Sequence, residues 1–201
     1  MSAASVRMSA TLEVFKMPIL IVCRLETAGI KLRPLMKTLY ILRHAKSSWT
    51  DNSLADFDRP LNARGLNAAP FIGELIARKE FLPDLIISSP AKRAMKTALL
   101  VKEASGSNAP IQYDERIYEA SPQTLKNVIS QVNGEFDSVL IVGHNPGIEG
   151  LINHLTGNLE PMPTAALAEI SLQIAAWDAV GANCGKLEFI IRPSEEMKNL
   201  G

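Results

Sequence analysis

The sequence predicts an α/β domain built around a mainly parallel sheet. Three observations point there. Residues 38–42, 85–87 and 139–142 form short, almost uninterrupted apolar runs, the pattern of strands covered on both faces. Stretches with helical spacing of apolar residues lie between them, which makes the alternation that βα units require. Each run stops abruptly, at Arg43-His44, at Ser88-Ser89-Pro90 and at Gly143-His144. Ligands of open α/β sheets bind outside the carboxyl ends of the strands, so these stops are where chemistry is expected.

The alternation opens with the strand at residues 38–42. Residues 47–59 are polar and turn-rich, with Asp51-Asn52 and Asp56-Phe57-Asp58, and read as a loop. Asn62 is placed to cap a helix running to about Lys79, with Leu66, Ala69, Ile72, Gly73 and Ile76 roughly on one face. Pro70 is expected to bend that helix or delay its start. Leu82-Pro83-Asp84 breaks the chain before the second strand. Ser89 reads as an N-cap and Pro90 as the first residue of a helix reaching about Ala104, which puts Arg93 close to the strand end. Residues 106–110 read as loop and 111–113 as a short strand. Ser121-Pro122 repeats the cap-then-proline pattern, and Leu125, Val128, Ile129 and Val132 are spaced as a helix. After the third strand, Asn145 and Pro146 are expected to start a helix with Ile148, Leu151, Ile152 and Leu155 as its stripe and Gly157 as its stop. Residues 168–174 and 187–191 alternate as strands and suggest an antiparallel pair.

The chain of 201 residues suits one domain with an extension. A hydrophobic content of 47% supports a sizeable core, and 21% charged residues is typical of a soluble globular protein. Formal net charge is +0, which argues against nucleic acid or an anionic membrane surface as the main partner, because both need a basic field. Cys23 and Cys184 have no metal-ligand spacing. Such sparse cysteine fits a reducing compartment, with the cytoplasm expected, and suggests no metal site. Residues 1–35 are serine-containing and cation-rich, with Arg7, Lys16, Arg24, Lys31 and Arg33 against only Glu13 and Glu26. That composition is like a transit peptide. The apolar run 17–23 resembles a signal core, but Arg24 follows at once and no A-x-A-like cleavage site appears. The run is also far short of the ~20 residues a membrane span needs. The expected organisation is a poorly ordered N-terminal extension, residues 1–35, and a functional domain, residues 36–201.

If the three strands are neighbours, Arg43, His44, Arg93 and His144 surround one pocket. Forked guanidinium donors match phosphate oxygens, and nearby helix N-termini add positive dipole ends. A histidine at such a site is a titratable base or nucleophile. Each histidine alone reads better as a hydrogen-bonded core residue; it is the pair with two arginines that favours a site. Arg59 has two readings, reaching phosphate or pairing with Asp56 or Asp58. Ser47 reads better as a turn residue than as a phosphate donor.

The segment Arg43-His44-Ala45-Lys46-Ser47-Ser48-Trp49 resembles the RHG/RHA signature of the histidine phosphatase superfamily. Asp58-Arg59-Pro60-Leu61-Asn62-Ala63-Arg64-Gly65, then Ser88-Ser89-Pro90-Ala91-Lys92-Arg93-Ala94, then Val142-Gly143-His144-Asn145-Pro146 fall in that family's order. The resemblance covers residues 36 to about 193 and is greatest to the SixA-type phosphohistidine phosphatases. It implies a three-layer α/β/α, phosphoglycerate-mutase-like fold with a mainly parallel central sheet. It makes His44 the nucleophile that is phosphorylated, Arg43 and Arg93 phosphate-binding arginines, and His144 the second phosphate-binding histidine. Arg59 is a further phosphate-binding candidate. Glu119, just before a helix, stands where mutase-like members carry a general acid, although SixA-type members can lack one. No cofactor is implied.

The function so implied is metal-independent hydrolysis of a phosphorylated substrate, with protein phosphohistidine expected. Only about fifty residues separate Arg93 from His144. Mutase-type members carry a larger lid in that interval, so a protein surface can approach. The same openness admits small phosphoesters, which makes a phosphomonoesterase, for example a sugar-phosphate phosphatase, the alternative. A non-catalytic phosphate-binding module is a third reading.

Overall fold

Side-chain alternation along the first strand decides the layers. In β1 (Lys37–Arg43), Leu39 and Ile41 join one apolar cluster while Tyr40 and Leu42 join another, and all four are buried. A strand buried on both faces needs a helical layer on each side. The structure, a computed structural model, describes residues 36–196. The expected extension, residues 1–35, lies outside the described residues except in its boundary at Met36.

The other strands and α-helices are α1 (Ala63–Arg78), β2 (Leu85–Ser88), α2 (Lys92–Ser105), β3 (Ile111–Tyr113), α3 (Pro122–Ile129), β4 (Ser138–Gly143), α4 (Gly147–Thr156), β5 (Leu167–Leu172), β6 (Gly185–Ile191) and the single turn α5 (Pro193–Glu196), with 3-10 turns at Asp56–Asp58, Glu115–Ile117 and Trp177–Ala179. The sheet order is β3-β2-β4-β1-β5-β6. β3, β2, β4 and β1 are parallel; β5 runs antiparallel to β1, and β6 antiparallel to β5. The expected three-layer, mainly parallel architecture is therefore the one observed. Ile72, Ile76, Ala94, Ala98 and Val101 of α1 and α2 cover one face; Leu125, Ile129, Ile148, Leu151 and Leu155 of α3 and α4 cover the other.

Local chemistry accounts for several helix ends. The Asn62 side chain accepts from Gly65 N–H and starts α1, and Ser121 does the same for α3 from Thr124 N–H. Gly157 closes α4 in the left-handed conformation. Pro70 lies within α1 and does not delay its start. Two expected starts are displaced. α2 begins at Lys92, not Pro90, and α4 at Gly147, not Asn145. In both cases the side chain expected to cap is held by a partner outside its helix or inside the helix body. Ser89 Oγ takes His144 Nε2 at 2.8 Å, and Asn145 Nδ2 donates to Glu149 Oε1 at 2.7 Å and the Met162 carbonyl at 3.1 Å.

Candidate active site

The central strands deliver two histidines to one sheet edge. Arg43 and Gly143 are register partners at the ends of β1 and β4. His44 N–H then donates to the Gly143 carbonyl at 3.0 Å, carrying the ladder one residue further. β2 ends alongside, where Ser89 N–H donates to Val142 at 3.0 Å. His44 and His144 are both buried, with ring centroids 4.9 Å apart. The first turn of α2 places the buried guanidinium of Arg93 against both rings.

Partner chemistry fixes both tautomers. His44 Nδ1 lies 2.8 Å from the Ala45 carbonyl, which only accepts. Nδ1 therefore carries the proton and Nε2 the lone pair. Arg93 Nε donates to that lone pair at 3.2 Å. Arg93 Nη2 is 3.3 Å from His144 Nδ1. A guanidinium only donates, so His144 Nδ1 also presents a lone pair and its Nε2–H donates to Ser89 Oγ. Burial pushes His44 down to about 4; the Ala45 hydrogen bond opposes this, and the Arg93, Arg43 and Arg59 charges add to it. His144 is pushed down to about 3, chiefly by burial, then by His44 and Arg93. Both rings are neutral near pH 7, the state a nitrogen nucleophile requires.

The expected site residues divide into those brought together and those set apart. Arg43 Nη1 donates to the Met162 carbonyl at 2.8 Å, while its buried Nε has no partner among the described residues. Arg59 is buried, and each of its three nitrogens meets protein: Nε donates to the Ser48 carbonyl at 2.9 Å, Nη1 to Asp56 Oδ1 at 2.5 Å and Nη2 to Ser47 Oγ at 2.6 Å. Of its two sequence readings, the pairing with Asp56 is present. Trp49 stacks on its guanidinium, 3.1 Å from carbon to ring centroid. Glu119 is exposed, at a backbone φ of 49°. It lines a groove of about 700 Å³ with Pro122, Pro146, Gly147 and Pro161, beside rather than between the histidines.

Four further residues support the cluster. Ser89, whose sequence position suggests only a helix cap, accepts from His144 Nε2–H at 2.8 Å. Asp56 accepts from Arg59, Arg93 and Tyr118. Tyr118 packs edge-on against His144, with centroids 5.6 Å apart. Thr97 Oγ1 accepts from Ala45 N–H at 3.0 Å and donates to the Arg93 carbonyl at 2.7 Å, tying the residue after His44 to α2. Among the described residues no group of three or more His, Cys, Asp or Glu is placed to hold a metal ion, and no helix is long and apolar enough to cross a membrane.

Comparison with known proteins agrees with this geometry. The family model for the histidine phosphatase superfamily (branch 1) matches residues 39–136, a span that includes Arg43, His44 and Arg93 and ends before His144. An uncharacterized protein of Mycobacterium tuberculosis is 32% identical over 158 residues, covering 73% of this chain and 96% of that relative. A solved structure from Agrobacterium tumefaciens, provisionally described as the phosphohistidine phosphatase SixA, superposes with a TM-score of 0.68 at 30% identity, covering 78% of this chain and 98% of that one. Phosphoglycerate mutase from Bacillus anthracis shares the fold, with a TM-score of 0.57 at 19% identity over 83% of this chain and 97% of its own. The sheet edge that carries Arg43-His44, the arginine of α2 and the near-complete coverage of a relative at 32% identity converge: the chain belongs to the histidine phosphatase superfamily.

Proposed function

We propose that this protein is a metal-independent phosphatase acting on protein phosphohistidine through a phosphohistidine intermediate on His44. One observation carries the reading: the Ala45 carbonyl holds the proton on Nδ1, so the lone pair of Nε2 faces the guanidinium of Arg93. Nε2 attacks phosphorus, the N–P bond forms, and the bond to the leaving group breaks with its electron pair. Water then attacks the same phosphorus, releases phosphate and returns the electron pair to Nε2. Arg43 and Arg93 offset charge on the transferring oxygens in both steps. His144 binds the same group. A protonated imidazole is a good leaving group, so phosphohistidine places a small demand on a general acid. Where one is needed, exposed Glu119 beside Tyr118 is the carboxyl for it. Support for a polypeptide substrate comes from the largely apolar walls of the adjoining groove, including Pro122, Pro146, Leu159 and Pro161. The experiment is a side-by-side turnover measurement, with EDTA present, on a phosphohistidine protein and a panel of phosphomonoesters. Preference for the phosphohistidine protein supports the reading; preference for a sugar phosphate or another small ester replaces it with the alternative.

A further inference from the structure

Arg93 presents two bidentate edges, and the protein uses them differently. The side-on edge faces the histidines, Nε toward His44 Nε2 at 3.2 Å and Nη2 toward His144 Nδ1 at 3.3 Å. The end-on edge faces Asp56: Nη1 donates to its backbone carbonyl and Nη2 to its Oδ2 at 2.8 Å. Both ends of one residue thus grip one edge of the fork. Asp56 is itself fixed, because Oδ1 accepts from Arg59 Nη1 at 2.5 Å and Oδ2 also accepts from Tyr118 OH at 3.0 Å. Arg59 in turn is anchored through Ser47 and Ser48, just after the nucleophile.

We propose that Asp56 is a positioning residue, a clamp on the end-on edge of Arg93 that keeps the side-on edge aimed between the two histidines, where the transferring phosphoryl group must sit. The inference rests on His44 as the attacking group. A competing role, in which the carboxylate occupies the phosphate site and is displaced by substrate, fits the geometry less well. Asp56 and the His44 lone pair lie on different edges of the guanidinium, so phosphate and carboxylate can be bound together. Burial would raise the Asp56 carboxyl, but the hydrogen bonds from Arg59, Tyr118 and Arg93 outweigh it and hold the group down at about 2. The clamp is therefore charged at any working pH, and two guanidiniums offset its single negative charge.

Every partner of the Asp56 side chain is a donor. An amide cannot replace it, since the NH2 of Asn would meet either Arg59 or the Arg93–Tyr118 pair with a donor. The test measures tungstate, a tetrahedral oxyanion, binding by calorimetry, and turnover, in the full chain, for wild type, Asp56→Asn, Arg93→Ala and the double variant. A misplaced fork is expected to weaken tungstate binding and lower kcat by ~10- to 100-fold in Asp56→Asn. In the Arg93→Ala background the same change is expected to cost less than about twofold, because its effect passes through Arg93. Asp56→Glu, which keeps the charge, is expected to recover part of the loss. Equal losses in both backgrounds overturn the clamp, as does tighter tungstate binding by Asp56→Asn, or no tungstate binding by wild type at millimolar concentration. Should the tungstate cycle behave as expected while wild type forms no phosphoenzyme, the clamp stands and the proposed mechanism falls.

Discussion

Removing the hydroxyl of Ser89 isolates the support of His144. Ser89 is fully buried and His144 is 7% exposed. In Ser89→Ala the His144 Nε2–H loses its acceptor, and Ala91 N–H loses the same oxygen at 3.2 Å. A buried donor left unsatisfied costs about 1–3 kcal/mol, and the second bond about 1 kcal/mol. The excised atom is small, so no cavity is large enough to add much. The imidazole cannot recover by changing tautomer, because a proton on Nδ1 would face the Arg93 donor. The sum is about 2–4 kcal/mol of stability, or about 4–16 °C in Tm for a chain of this size. Loss of the contact that orients the ring is also expected to lower kcat by ~10-fold or more. Urea denaturation and steady-state turnover at pH 7 measure the two effects. Wild-type stability and wild-type kcat in Ser89→Ala would show that neither the tautomer nor the orientation of His144 depends on this contact, and the tautomer argument would fail.

The other predictions concern charge. Arg93→Ala is expected to lower kcat/KM by about 10²–10³, the effect of one oriented donor to a developing oxyanion. Arg93→Lys is expected to recover only part, since an ammonium cannot span both histidines and Asp56; full recovery would show that charge alone matters. Stability is expected to fall as pH drops from 7 to 5. Folding lowers His44 to about 4 and His144 to about 3, so in this window the unfolded chain, with its ordinary pKa near 6.5, binds more protons than the folded one. Folded stability that is present above pH 6.5 is therefore lost on acidification, by about 2 kcal/mol per histidine between pH 7 and 5. Urea midpoints that stay flat or rise over that interval contradict the assignment of two buried neutral rings.

Much of the fold was legible because buried parallel strands leave a strong trace. The apolar runs at residues 38–42, 85–87 and 139–142 became β1, β2 and β4, adjacent in the sheet as the convergence of Arg43-His44, Arg93 and Gly143-His144 required. Legibility failed where a polar side chain had a local and a distant option. Ser121 and Ser89 both precede proline; Ser121 caps its helix, whereas the Ser89 hydroxyl is shared between Ala91 N–H and a histidine 55 residues away. No local rule separates them, since the difference lies in what the fold places opposite each. Asp56 shows the same limit. Pairing with Arg59 three residues on was readable, but its grip on Arg93, 37 residues away, depends on how the loop of residues 47–59 folds back over α2.

The central claim is that His44 Nε2 takes the phosphoryl group, and rapid-quench labelling tests it most directly. Wild type is mixed for milliseconds with a 32P-labelled phosphohistidine protein or small phosphodonor, denatured, and the bond characterised. The expected result is an acid-labile, base-stable label on His44, absent in His44→Ala and formed slowly in His144→Ala. A label that persists in His44→Ala and disappears in His144→Ala would reverse the two histidines. Steady turnover in EDTA with no label at any quench time would contradict the covalent mechanism and leave direct attack by water in its place.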